Sequence, residues 1–247
     1  MQPTAMLFAI EISLVLGVAA GLANLFGASI VSARAWSRPF LAYFIALGSG
    51  FMLATAMTEM IPESLHLAPV SGSVLILAGY LIVHIFEHVW PGHFHFGEET
   101  HVEEFLDSRV AYTALGGLLV HTFLDGVAIA SGFMISTWLG TVIFGATILH
   151  NIPEGFTISS VMVTAGKGRT SGMKAAAALG VSRILGILAM GLASRWVAFG
   201  LALSAGATLY VAASDLIPEV NKTPGLKIAL TVGAGVAMVV LLKMLFV

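Results

Sequence analysis

Eight stretches of this chain are apolar enough, and long enough, to leave little choice of architecture. They run at about 5–30, 39–62, 70–90, 110–134, 138–163, 173–193, 196–219 and 225–246. Each is near the roughly 20 residues that a helix needs to cross about 30 Å of hydrocarbon. In that solvent every backbone N–H and C=O must be paired inside the protein, so only helices and closed barrels span it. A barrel strand would read as about 10 alternating residues, and these runs do not alternate. Composition agrees: 10% of the 247 residues are charged, against about 25% in soluble domains. The fold class is therefore an all-α membrane protein with eight transmembrane helices, a single transmembrane domain over 1–247. The first run lacks a basic n-region and a small-residue cleavage site, so it is read as a span and not as a cleaved leader.

Net charge is -2 without a basic tract, which argues against nucleic acid as a partner. There is no cysteine, so a metal would have to be held by His, carboxylate or Met. Lys and Arg fix the expected orientation, because they concentrate in cytoplasmic loops. Arg34, Arg38, Arg109, Lys167, Arg169, Lys174, Lys222 and Lys227 fall on one side. Only Arg195 and Lys243 fall on the other, while Arg183 lies inside span six. Both termini are then extracytoplasmic. The hydrophilic 91–109 loop, with His93, His95 and His101 among several Glu, is cytoplasmic and suited to weak metal capture.

A repeat links spans two and seven. Gly50 to Glu63 and Gly206 to Glu219 both close with acid-x-x-Pro-Glu, and the two spans cross in opposite directions. The layout reads as three plus two plus three, with spans 1–3 and 6–8 as inverted repeats, a frame common in secondary transporters. Pro62 and Pro218 would free the carbonyls of Thr58 and Ser214, and Pro153 that of Leu149. Glu59 and Asp215, with Glu63 and Glu219, would form acidic vestibules at opposite ends; solvated helix-end carboxylates are the plainer account.

The middle two spans carry the chemistry. His121 and Asp125 stand four residues apart in span four, and His150 and Glu154 repeat the spacing in span five, each followed by Gly. Such spacing puts each pair on one helix face. Ionisable groups at this depth cost about 3 kcal/mol or more and mark function by default. Imidazole and carboxylate suit Zn²⁺, and also Cd²⁺, Fe²⁺ or Mn²⁺, with Asn151 as an added oxygen donor. The plainer alternative is a polar network that only joins two helices. Arg183 needs a carboxylate inside the membrane, with Asp125 and Glu154 as the obvious partners and Glu11 as a more peripheral one, unless it snorkels toward the cytoplasm.

These motifs, HTFLDGVAI at 121–129, LHNIPEG at 149–155 and the two Pro-Glu span ends, resemble the ZIP (ZRT/IRT-like protein) family of divalent metal transporters. The resemblance runs over essentially the whole chain. It implies a binuclear site between spans four and five, with His121, Asp125 and Glu154 as primary ligands and Met52 and His150 beside them. It also implies Asn151 as a second-site ligand and an elevator-like movement of one helix block. Thr122 stands where the family often has Asn. Arg183 stands where span six often has Glu, which removes a second-site carboxylate and adds a fixed positive charge in its place.

The expected function is thus import of a divalent transition metal, zinc first, across the plasma (inner) membrane toward the cytoplasm. The lipid bilayer is the surrounding partner, and a homodimer is compatible with the chain. The competing readings are an intramembrane metal-dependent hydrolase and a static metal-sensing protein.

Overall fold

Chain segments with apolar side chains on every face and no water to bond satisfy their backbones by coiling, and the described residues do so almost without interruption. The computed structural model describes residues 3–33, 38–89 and 108–246. The predicted capture residues His93, His95 and His101 lie outside them.

We number eight helical rods: α1 (Pro3–Ala33), α2 (38–67), α3 (Gly72–Val89), α4 (Ser108–Ile135), α5 (Thr137–Thr164), α6 (Gly168–Leu192), α7 (Ser194–Asn221) and α8 (Leu226–Phe246). Among the described residues there is no strand. Six rods, α1, α2, α4, α6, α7 and α8, contain a stretch long and apolar enough to cross a membrane. α3 offers a shorter apolar stretch, Gly72–Phe86. α5, which carries His150, Asn151 and Glu154, is not among the six.

Local chemistry sets the breaks. Ser136 is extended and its Oγ accepts from Leu139 N at 3.1 Å, capping α5 immediately after α4 ends. At the other end of α5, Gly166 takes φ +73°, while Lys167 N donates to Met162 O and Gly166 N to Val163 O. That is the Schellman pattern, which needs a left-handed residue after the helix.

At the two proline ends, where freed carbonyls are expected, each helix continues through a wider turn. α2 widens to a π turn at Ala56–Met60 before Pro62, and α7 does the same at Val211–Leu216 before Pro218. A π turn absorbs one extra residue and re-aims the helix without breaking it. The Thr58 carbonyl finds a partner on another rod. It accepts from Lys243 Nζ of α8 at 3.1 Å, because a buried acceptor must find a donor.

α1 packs against α5 and α6, and α4 packs against the same two rods. On the other side α2 pairs with α8 and α3 with α7. The contacts α2–α5 and α4–α7 join the two groups. Glycine pairs set the tightest approaches, where backbone meets backbone. A Cβ on Gly27 would strike the Ile152 carbonyl, and one on Gly155 the Asn24 carbonyl. The same reciprocity holds for Gly126 and Gly186 between α4 and α6, for Gly79 and Gly206 between α3 and α7, and for Gly50 and Gly235 between α2 and α8. Across the join, a Cβ on Gly48 of α2 would stand 3.4 Å from Leu149 O of α5, an ordinary contact.

Candidate metal centre

α4 and α5 turn their polar faces toward each other in the middle of this bundle. His121 and Asp125 are one turn apart on α4, with His121 Nε2 3.5 Å from Asp125 Oδ2. From α5, His150 Nε2 reaches the same oxygen at 3.2 Å. The His150 ring is fixed from behind by a bond between Nδ1 and Ala146 O at 2.9 Å. The two imidazoles stand 5.4 Å apart, centroid to centroid. One ligand atom from each of His121, Asp125 and His150 lies within 4.8 Å of the others, and all three residues are buried. Neither nitrogen of His121 has a hydrogen-bond partner among the described residues. A buried imidazole left this way is unusual, and it has the free donor atoms a metal ligand requires.

A small cavity opens beside Asp125 and His150. It is walled by Met52, Thr55 and Met60 from α2, by Thr208 from α7, and by Ile143, Ala146 and Thr147 from α5. Met52 is fully buried there, as expected for a residue beside the site. Thr55 is also fully buried, and its hydroxyl has no hydrogen-bond partner.

The other expected residues fall into a second, adjoining cluster. Glu154 Oε2 accepts from Asn24 Nδ2 of α1 at 2.7 Å and lies 3.6 Å from Arg183 Nη2. Asn151 Oδ1 accepts from Arg183 Nη2 at 2.8 Å, and its Nδ2 donates to Ala20 O at 2.9 Å. Arg183 Nη1 donates to Asn24 Oδ1 at 2.9 Å. The guanidinium also stands 3.6 Å from Asp125 Oδ2, so it faces both carboxylates the sequence offered it. It is fully buried and does not snorkel. Thr122 turns its hydroxyl back onto Leu118 O and Leu119 O, at 2.8 and 3.2 Å. The structure therefore divides the expected ligand set. His150 joins His121 and Asp125, while Glu154 and Asn151 sit with Arg183.

Glu59 and Asp215 are buried rather than solvated. Glu59 Oε1 pairs with Lys243 Nζ at 2.9 Å, and its Oε2 accepts from Trp138 Nε1 of α5 at 3.0 Å. Reasoning from the sequence missed Asn24, Trp138 and Lys243 as partners. Asn24 could have been noticed as an amide inside the apolar run Leu14–Phe26.

Comparison with known proteins bears on this geometry. Residues 97–243 match the family described as ZIP Zinc transporter. The chain belongs to the ZIP family. Its relatives include Zinc transporter ZIP9 of Xenopus tropicalis, 25% identical over 225 residues that cover 71% of this chain and 74% of that protein. Zinc transporter ZIP9 of Micropogonias undulatus is 29% identical over 160 residues, 60% of this chain and 51% of its own length. Metal cation symporter ZIP14 of Mus musculus is 23% identical over 287 residues, 81% of this chain and 58% of its own. The chain thus spans between half and three quarters of these ZIP proteins. These relatives are named as transporters of zinc or of metal cations, not as enzymes. As a ZIP protein with several apolar helices of spanning length, the chain is an integral, multi-pass membrane protein.

Proposed function

We propose that this chain imports divalent transition-metal ions, Zn²⁺ first among them, and holds each ion at His121, Asp125 and His150. The observation that carries the reading is the convergence of three buried ligand atoms within 4.8 Å of one another, between two helices of a ZIP protein. Two imidazoles and one carboxylate suit zinc, which takes three protein ligands where a fourth position stays open. Cd²⁺, Fe²⁺ and Mn²⁺ fit the set less selectively. The cavity beside Asp125, walled by Met52 and Thr55, supports an open fourth position. The unpartnered Thr55 hydroxyl suits a water kept by the ion.

The rods act as one transporter unit of eight spans, arranged three plus two plus three, with both termini extracytoplasmic. The Lys and Arg asymmetry supports that orientation, and the plasma or inner membrane is the location that fits import. Transport proceeds by an elevator-like shift of α1, α4, α5 and α6 against α2, α3, α7 and α8. The reciprocal glycine contacts, backbone against backbone, support this, because each lies within a group.

The test is Zn²⁺ uptake into proteoliposomes that hold the purified full chain and an internal zinc-sensitive dye. Uptake is expected, and His121→Ala with His150→Ala should abolish it. Tight zinc binding without flux would overturn the transporter reading in favour of a static sensor.

A further inference from the structure

Arg183 is the largest fully buried side chain in the described structure, and the transport reading gives it no task. Its surroundings are those of a cation site. Four oxygens from four residues converge on the guanidinium tip: Asn24 Oδ1 at 2.9 Å, Asn151 Oδ1 at 2.8 Å, and Asp125 Oδ2 and Glu154 Oε2 both at 3.6 Å. They come from α1, α4 and α5, while Arg183 itself enters from α6. Two carboxylates and two amide carbonyls make a set of hard oxygen donors, the kind that holds Mn²⁺, Ca²⁺ or Mg²⁺. Two carboxylates buried this close need a cation between them. The equal distances from Nη2 place a positive charge midway between Asp125 and Glu154.

We infer that the Arg183 side chain is a tethered cation that fills a second, all-oxygen site beside the transport site. The chain therefore carries a single mobile ion. Asp125 belongs to both sites: its Oδ2 faces the two imidazoles and the guanidinium together. The fixed charge neutralises one of the two carboxylates, so the empty protein keeps a net charge of about -1 here instead of -2. It also excludes a second divalent ion from the gap, because that ion and the guanidinium would share the same oxygens. A purely structural salt bridge would hold the helices together as well, but its removal would leave no metal site behind.

The inference rests on the proposed site at His121, Asp125 and His150, and ion counting separates the two. The purified full chain in detergent is equilibrated with Cd²⁺, then separately with Mn²⁺, and metal per chain is measured by mass spectrometry. Wild-type protein should hold one Cd²⁺, which His121→Ala with His150→Ala should remove. Arg183→Glu should hold two Cd²⁺. The second should survive in the His121→Ala, His150→Ala background, and Mn²⁺ should gain the same extra equivalent. Arg183→Gln, neutral and of similar reach, should also gain a second ion and covers the case in which the glutamate variant fails to fold. Arg183→Lys, which keeps the charge, should stay at one. Two Cd²⁺ in the wild type, both kept when His93, His95 and His101 are changed to Ala, would overturn the inference whatever the variants do. So would one Cd²⁺ in folded Arg183→Gln or Arg183→Glu. No Cd²⁺ in the wild type would overturn the transport site first, and this inference with it.

Discussion

Asn24 offers the sharpest test of how the centre is held together. Its amide donates to Glu154 Oε2 at 2.7 Å and to Asn151 O at 3.2 Å, and its carbonyl accepts from Arg183 Nη1 at 2.9 Å. Asn24→Leu keeps the side-chain size and removes all three bonds. Two of them involve charged partners, each worth about 1.5–3 kcal/mol, so the gross loss is about 3–6 kcal/mol. Asn24 is fully buried, so solvent does not screen the loss. Arg183 and Glu154 already stand 3.6 Å apart and can close on each other, which recovers part of it. The expected net destabilisation is about 2–4 kcal/mol. Ordinary interhelical hydrogen bonds in membrane proteins average only about 0.6 kcal/mol, so the measurement has a clear dividing line. Chemical unfolding of the metal-free protein in detergent, followed by circular dichroism, gives the number. Ser13→Ala serves as a control, because Ser13 Oγ bonds Ala9 O within its own helix; it should cost under about 0.5 kcal/mol. A double-mutant cycle with Glu154→Gln should return a coupling of about 1 kcal/mol or more. A loss at Asn24→Leu no larger than about 0.6 kcal/mol would refute the view that Asn24 organises a charged network.

Four further outcomes follow from the same geometry. Trp138→Phe removes the bond that ties α5 to Glu59 of α2; at about 1 kcal/mol it should shift the balance between transport states roughly fivefold, read as a changed initial uptake rate with unchanged ions per chain. Gly126→Ala puts a Cβ against the Arg183 carbonyl and should lower stability by about 1–3 kcal/mol. Gly48→Ala, with 3.4 Å of clearance to Leu149 O, should be nearly neutral in the same chemical-unfolding assay. Zinc must displace protons from the imidazoles of His121 and His150, so zinc affinity should fall as pH is lowered; isothermal titration at several pH values checks this, and a flat profile would speak against histidine ligation.

Much of the centre was legible because ionisable residues are so costly inside an apolar run that four of them, at matched spacing, have few innocent explanations. That argument located His121, Asp125, His150 and Glu154, and it named Asp125 and Glu154 as the partners of Arg183. It could not divide them. An i, i+4 spacing fixes which face a side chain shares, but not which neighbouring helix that face meets. Glu154 turns to Asn24 of α1, more than a hundred residues away in sequence, and so leaves the ligand cluster to His150. Asn24 itself was overlooked because a neutral amide in an apolar helix is unremarkable until its partner is known. The Trp138–Glu59–Lys243 group was invisible for the same reason, since it joins three distant rods.

The repeat also acquires a physical meaning at the site. Aligning Gly50-Phe51-Met52 with Gly206-Ala207-Thr208 makes Met52 and Thr208 equivalent positions, and both line the cavity beside Asp125 and His150. Each lies within one turn of a π turn that precedes a proline. The glycine at the head of each copy lets its rod approach a partner closely, Gly50 toward α8 and Gly206 toward α3. The π turn then re-aims the helix without cutting it. The acid that follows, Glu59 or Asp215, is buried in both copies. One local design is therefore used twice to bring a wall residue to the centre. The copies differ in the residue that lines the cavity: a thioether-bearing Met52 on one side and a hydroxyl-bearing Thr208 on the other. Sulfur favours softer ions and oxygen harder ones, so at the proposed metal site these two equivalent positions set how soft the cavity wall is.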